Sequence, residues 1–313
     1  MQKFARRVTA VILLFICSAA FVNGETSRFT SDTFPHSLLW RVSGNGLKEC
    51  SYLFGTFHSR DDRVFRLDDS VRYALVSCRI FSPELEMDSL TVPNVLSMMY
   101  LDSGKKINDY VSSAQYDSLN SFFLENMNAG ITLYSRIKPF FLLMIMAEAK
   151  TRHVQFDHPP KKKQRDKFLD IWLEELAHRY RLKVIPIEQP EEQMAALDSI
   201  PLPVQISMMM KIVSPKPGLN EESAQETMIK HYMDQDINFL AHLDTLGSFT
   251  DGMMSAIITT RNHHFADRLE LQMKSNSVFA AFGAGHLPGD EGVISLLRKK
   301  GYSVEPVMPR KKK

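Results

Sequence analysis

Two short stretches near opposite ends of this 313-residue chain use the same device. Gly55-Thr56-Phe57-His58 follows the apolar run Tyr52-Leu53-Phe54, and Gly283-Ala284-Gly285-His286 follows Val278 to Phe282. A strand that ends in small residues and then presents an imidazole sets that ring at the rim of a sheet. Open α/β folds bind ligands at such rims. A sheet that uses both runs is built from both ends of the chain, and the residues between them must supply flanking helices or an insertion.

The rest of the pattern fits that frame. Segments 37–43 and 50–57 read as a hairpin across the turn Gly44-Asn45-Gly46. A helix follows, capped by Asp68 or Asp69, with Val71, Ala74 and Leu75 on one face. Arg79 to Glu86 reads as a strand. From about 90 to 250 the pattern is mostly helical, with helices over Ala114–Met127, Thr132–Thr151 and Gln164–Leu182. The second carries Phe140 to Ala147, apolar nearly all round, which predicts a buried core helix too short to span a bilayer. Lys183–Ile187 is a short strand, and Pro186 assigns it to an edge or a strand end. A helix from about Asp251 to Lys274 precedes the strand Ser277–Phe282, the loop Gly283–Gly289, the helix Glu291–Lys300 and the strand Tyr302–Val307. Gly301 is a natural helix stop. The expected fold class is α/β: a central mixed sheet drawn from both ends of the chain, flanking helices, and a helical insertion at about 90–250.

The first residues read as a secretory signal. Lys3, Arg6 and Arg7 precede an apolar run from Val8 to Val22, and small residues end at Gly24. The expectation is an exported protein, periplasmic or secreted, whose domain occupies 25–313. An apolar run this short gives no stable membrane span, which takes about 20 residues, although an uncleaved anchor is the alternative. Residues 1–24 hold three positive and no negative charges, so their removal takes the net charge from +2 to −1. That balance excludes an overall basic nucleic-acid binder. The clusters Lys161–Arg165 and Arg310–Lys313 read as a solvated loop and a frayed end, or as contacts to an anionic surface. Cys17 departs with the leader, leaving Cys50 and Cys78 either joined in a disulfide or buried as thiols. The methionines at 208–210 and at 253 and 254 read as core filling.

Several side chains stand where chemistry is possible. Glu84 and Glu86, two apart in a strand, are expected on one face, with Phe81, Pro83 and Leu85 on the other. A carboxylate set in an apolar run is costly to bury alone, so a metal, a histidine or an arginine is its expected partner. Two histidines, His58 and His286, with the carboxylate of Glu84 and open positions make a donor set suited to Mn, Co or Zn. Arg261-Asn262 lies on an apolar helix, where Arg261 can pair with Glu84 or hold a substrate oxygen. Glu188 follows the end of the 183–187 strand as a further site candidate. Glu191-Glu192-Gln193 reads as the solvated first turn of a helix, where negative charge is favoured. No Gly-x-Ser-x-Gly, phosphate loop, GxGxxG or HExxH is present.

Taken together, Leu39-Trp40-Arg41-Val42, Ser51 to His58, Pro83-Glu84-Leu85-Glu86, Ile187-Glu188-Gln189, Glu191-Glu192-Gln193, Arg261-Asn262 and Gly283 to Gly289 with Gly292-Val293 resemble the TraB/PrgY/GumN family, nearest its bacterial GumN-like branch. The likeness runs in order over nearly the whole chain after the leader. It implies an α/β fold with two related halves, and a kinship to TIKI-like metal-dependent proteases. It further implies His58, Glu84 and His286 as metal or catalytic residues, Arg261 and Asn262 as polar supports, and Glu188 as a further candidate. Glu86 falls where relatives often have aspartate, and Pro83 stands where a β-branched residue is usual. The implied activity is a metal-dependent hydrolase on a peptide or related amide or ester. In that scheme Glu86 or Glu188 is the general base and Arg261 stabilises the oxyanion. The alternative is a module that sequesters a peptide signal or a metal-containing ligand without turnover.

Overall fold

The computed structural model describes residues 34–86, 97–102, 104–157, 165–214, 221–241 and 255–308. The expected leader at 1–24, the basic residues 161–163, the tail at 310–313, and Met253 and Met254 lie outside the described residues. In chain order the elements are β1 (Leu39–Ser43), β2 (Ser51–Thr56), α1 (Asp69–Ser77), β3 (Ile80–Pro83), α2 (Ser113–Met127), α3 (Pro139–Asp157), α4 (Leu169–Arg179), β4 (Lys183–Val184), α5 (Pro190–Asp198), α6 (Leu202–Val213), α7 (Glu221–Met233), α8 (Ile237–Ala241), a π-helical turn (Ser255–Thr259) that runs into α9 (Thr260–Ser275), β5 (Val278–Gly283), α10 (Val293–Lys299) and β6 (Ser303–Pro306).

The six strands form one mixed sheet in the order β4-β3-β5-β2-β1-β6. Both ends of the chain contribute, as the opening pattern requires. The hairpin β1–β2 is antiparallel with Leu39 opposite Phe54, and β6 adds to β1 antiparallel. The other neighbours, β2–β5, β5–β3 and β3–β4, are all parallel. Every residue of β5 is buried, the continuous apolar run of a strand covered on both faces. Phe279 at its centre stands 6.0 Å from Phe54 and 6.2 Å from Phe81, ring centre to ring centre. Because β2, β3, β4 and β5 point the same way, their carboxyl ends share one rim of the sheet. Just past the strand ends on that rim stand His58, Glu84, Glu188 and His286.

Gly55 is fixed by close approach. A Cβ there would lie 2.7 Å from Leu287 Cδ1 and 2.9 Å from Ala284 Cβ. The glycine of the first motif therefore lets β2 press against the short 3₁₀ turn, Ala284–His286, that carries the second histidine.

The chain divides into two compact units. The sheet unit holds, of the described residues, 34–86, 165–193, 221–241 and 255–308. The helical unit holds, of the described residues, 97–102, 104–157 and 194–214. Within the helical unit, α2 starts with a capping box between Ser112 and Gln115. In α3, Phe140 through Met144 and Met146 are buried, as the all-round apolar pattern predicts, and Met208 and Met209 of α6 fill core positions.

Several expected boundaries move. The helix expected over 132–151 begins at Pro139, after a separate 3₁₀ turn at Ile131–Tyr134. Proline favours the first helical position and bars the residue before it from helix, so Lys138 interrupts the run. The helix expected over 164–182 spans Leu169–Arg179, and Arg181 leaves it at φ 59°. The strand expected over 79–86 ends at Pro83, and the chain bends at Glu84 and Leu85. The alternation that would put Glu84 and Glu86 on one face therefore stops short of Glu86. Cys50 and Cys78 are free thiols rather than a disulfide, and burial pushes Cys78 up to about 12.

Candidate functional site

Each rim residue is held by backbone before its side chain is considered. The Glu84 amide donates to Ala281 O at 2.9 Å, carrying the β3–β5 ladder one residue past the strand. The amides of Ile187 and Glu188 donate to Pro83 O and Glu84 O at 2.8 and 3.0 Å. Residues 183–188 thus run along β3 well beyond the two-residue strand β4. Tyr232 Oη donates to Gly55 O at 3.0 Å, while its ring stacks on Phe57 just before His58.

The side chains converge on Glu84, which is 4% exposed. Its Oε1 accepts from Arg261 Nη2 at 2.5 Å and from Gln193 Nε2 at 3.2 Å, and its Oε2 accepts from the Gly283 amide at 3.1 Å. Arg261 also forks onto Glu188: Nε donates at 2.9 and 3.1 Å to the two oxygens, and Nη2 at 2.7 Å. Its Nη1 donates to Ile257 O of the π-helical turn at 3.0 Å. π-Helical turns recur where a side chain must be re-aimed at a functional site. Arg261 is thus a buried cation with an oxygen partner for each guanidinium nitrogen, shared between two carboxylates.

The two histidines are set in parallel ways. His58 Nδ1 lies 2.6 Å from Asp170 Oδ2, at the start of α4. His286 Nδ1 lies 2.5 Å from Asn262 Oδ1, and the Asn262 amide donates onward to Glu291 O at 2.7 Å. A carbonyl or carboxylate oxygen at Nδ1 holds the proton there and turns Nε2 into the lone-pair nitrogen. This is the usual outer support of a metal-binding imidazole. His286 Nε2 is buried and has no hydrogen-bond partner.

The charge states are set by these contacts. Burial raises the Glu84 carboxyl, but Arg261, His286 and His58 outweigh it and hold the group at about 2. Burial and the guanidinium of Arg261 drive His286 down to about 3, so it is neutral. Burial also lowers His58, but Asp170 more than reverses this and the ring ends raised. Burial lifts Glu188, and Arg261 holds it down only in part. Glu84, Glu188 and Asp170 thus set three carboxyl groups against the guanidinium of Arg261 and the raised imidazole of His58.

Among the described residues no three His, Cys, Asp or Glu side chains are grouped as a ready ligand set for a metal ion. Both oxygens of Glu84 are engaged by Arg261, Gln193 and the Gly283 amide. Two features fit a divalent cation nonetheless: the bare Nε2 of His286, and two buried carboxyls, Glu84 and Glu188, that share a single guanidinium.

Of the sequence-derived candidates, His58, Glu84, Glu188, Arg261, Asn262 and His286 all belong to the cluster, and Glu86 lies past the strand end. Gln193, assigned to a solvated turn, is 2% exposed and bonded to Glu84. Its neighbour Glu192 is half-buried, and pairs with Arg268. Asp170, bonded to His58, is a site residue that the motifs do not single out. Both missed residues carried a signal: Asp170 shares a helix stripe with Leu173 and Ala177, and Gln193 shares one with Leu197, so each is a polar group on an apolar face.

An α/β sheet with two imidazoles, a buried carboxylate and an arginine at the rim of its parallel strands defines the class. The chain belongs to the TraB/PrgY/gumN family, which it matches over residues 38–306. It is similar to metalloprotease TIKI2 of Danio rerio, 24% identical over 88% of this chain and 62% of that protein. It is also similar to metalloprotease TIKI1 of Homo sapiens, 23% identical over 86% and 62%, and to a TIKI homolog of Amphimedon queenslandica, 22% identical over 88% and 62%. The chain thus spans somewhat over three fifths of the length of these relatives. No solved structure matches it.

Proposed function

We propose that the protein is an exported metal-dependent hydrolase acting on peptide-type amide bonds. The observation that carries this reading is the matched pair of imidazoles, each with Nδ1 committed to an oxygen, of which His286 keeps a buried, bare Nε2 beside an ionised Glu84. His58 and His286 would hold Mn, Co or Zn through Nε2, with Glu84 as the third donor. A bound ion of this kind lowers the pKa of a water and polarises a carbonyl. Arg261 keeps Glu84 ionised and orients it. Glu188, lifted by burial, is the group suited to take a proton as general base, with Glu86 as the alternative. Arg261 acts as an anchor for both glutamates, since its donors are already engaged. Relatives named metalloproteases support the class of chemistry, and the basic start followed by an apolar run in residues 1–24 supports export.

The complete engagement of Glu84 favours a second reading, a module that binds a peptide signal or a metal-containing ligand without turnover. Metal content of the purified protein, beside His58→Ala and His286→Ala, tests the first reading. About one transition metal per chain, lost in both variants, with chelator-sensitive cleavage of peptides, is the expected result. No bound metal and no thermal shift with added Mn, Co or Zn would overturn it, and tight binding of a peptide recovered intact would establish the second.

A further inference from the structure

Among the described residues, the buried side-chain atoms with no hydrogen-bond partner include three of the sheet unit. They are His286 Nε2, Thr56 Oγ1 and Gln193 Oε1. Thr56 pairs in register with Gly283, whose amide donates to Glu84 Oε2. Gln193 donates its Nε2 to Glu84 Oε1 at 3.2 Å. The orientation of that amide is not arbitrary: Glu84 Oε1 already accepts from Arg261 Nη2, so the end of the amide that meets it is the Nε2 donor. Gln193 Oε1 is therefore fixed as an acceptor. With its Nδ1 proton given to Asn262 Oδ1, His286 also offers an acceptor at Nε2. Of the three orphans, only the Thr56 hydroxyl can donate. A buried acceptor without a donor is unfavourable in the free protein and becomes an attraction for any ligand that brings an N–H or O–H.

We infer that Gln193 Oε1 receives an amide N–H of the bound substrate, which makes Gln193 a specificity-determining residue that selects amides with a free N–H over esters and N-alkylated amides. The inference rests on the hydrolase reading above and deepens it. Esters satisfy a carbonyl-polarising site as well as amides do, but they leave this acceptor empty. A site that keeps a buried acceptor discriminates strongly against an analogue that lacks the matching donor.

The test uses the full chain loaded with Mn, Co or Zn. The octapeptide cleaved fastest from a degenerate library is resynthesised with single N-methyl groups along its backbone. In the wild-type protein one N-methyl position is expected to reduce kcat/KM roughly tenfold, mostly through KM, the effect of one buried hydrogen bond. In Gln193→Met, similar in volume but without an acceptor, that penalty is expected to fall below about threefold, while N-methyl penalties elsewhere persist. The persistence of the penalties at the other positions separates acceptor loss from general disturbance. Thermal unfolding and metal content of each variant establish that the fold is intact. A penalty equal in wild type and Gln193→Met overturns the inference alone. Absence of turnover of any library peptide by the metal-loaded wild type overturns the hydrolase reading, and this inference with it.

Discussion

Replacing Arg261 with methionine removes the one buried cation that two carboxylates share. Glu84 and Glu188 are 4% and 2% exposed, and without the guanidinium each must stay ionised unpaired or take up a proton. Protonating a carboxyl whose ordinary value is 4.5 costs, at pH 7, about 1.36 kcal/mol for each of roughly 2.5 pH units, or about 3.4 kcal/mol. That agrees with the roughly 3–5 kcal/mol seen when one partner of a buried ion pair is removed. At pH 5 the same protonation costs only about 0.7 kcal/mol, so the penalty should shrink by about 2.7 kcal/mol for each carboxyl that takes a proton. The sign in the wild type is the reverse. Its Glu84 is depressed to about 2, so the stability this group contributes is complete above 4.5 and is lost only as pH falls from there toward 2. Both tryptophans of the chain, Trp40 and Trp172, lie in the sheet unit, so their fluorescence in a urea titration reports the unfolding of the unit that holds the site. Metal-free wild type and Arg261→Met are compared at pH 7 and pH 5 at equal m-value. A loss below about 1.5 kcal/mol, or one equal at the two pH values, would refute the assignment of Arg261 as the charge that makes this cluster tenable.

Asp170→Asn keeps an oxygen near His58 Nδ1 but removes the charge; divalent-metal affinity by calorimetry should fall about 10- to 100-fold, with little change in metal-free melting temperature. Gly55→Ala drives a Cβ to 2.7 Å from Leu287 Cδ1; a stability loss of about 1–3 kcal/mol is expected by denaturant titration, together with weakened metal uptake as the His286 turn is displaced. His286 is neutral in the fold down to about 3, whereas the unfolded chain protonates near 6.5, so it lowers stability progressively as pH falls through that window. Metal-free His286→Gln should therefore lose less stability than wild type between pH 7 and pH 4, and parallel curves would count against a buried neutral ring.

Much of the site was legible because one rule placed it. Runs of apolar residues ending at Phe54, Pro83, Ile187 and Phe282 read as strands, and the residues after them were candidates before any packing was known. Parallel pairing then brought His58, Glu84, Glu188 and His286 to the same rim. What the pattern misplaced depends on contacts that period alone does not carry. Asp170 lies in the first turn of a helix, where an acidic residue is expected for capping and dipole reasons, so its contact with His58 hides inside an ordinary preference. Gln193 follows two glutamates and took their solvated character, although only the glutamine reaches the buried face. The π-helical turn at Ser255–Thr259, which supplies the carbonyl of Ile257 to Arg261, has no composition of its own and is set by the packing around it. The break at Pro139, by contrast, was available from local chemistry alone.

The position of β5 in the sheet has a temporal consequence. It lies between β2 and β3, yet its first residue, Val278, is made long after β3 closes at Pro83. Until then a growing chain has two strands whose shared neighbour does not yet exist, each with an unsatisfied edge, and it lacks the second imidazole. Completing the sheet and completing the site are one late event, so a chain stopped anywhere before residue 278 lacks its central strand and its chemistry together, and presents the open edges that promote aggregation and mark a chain for degradation.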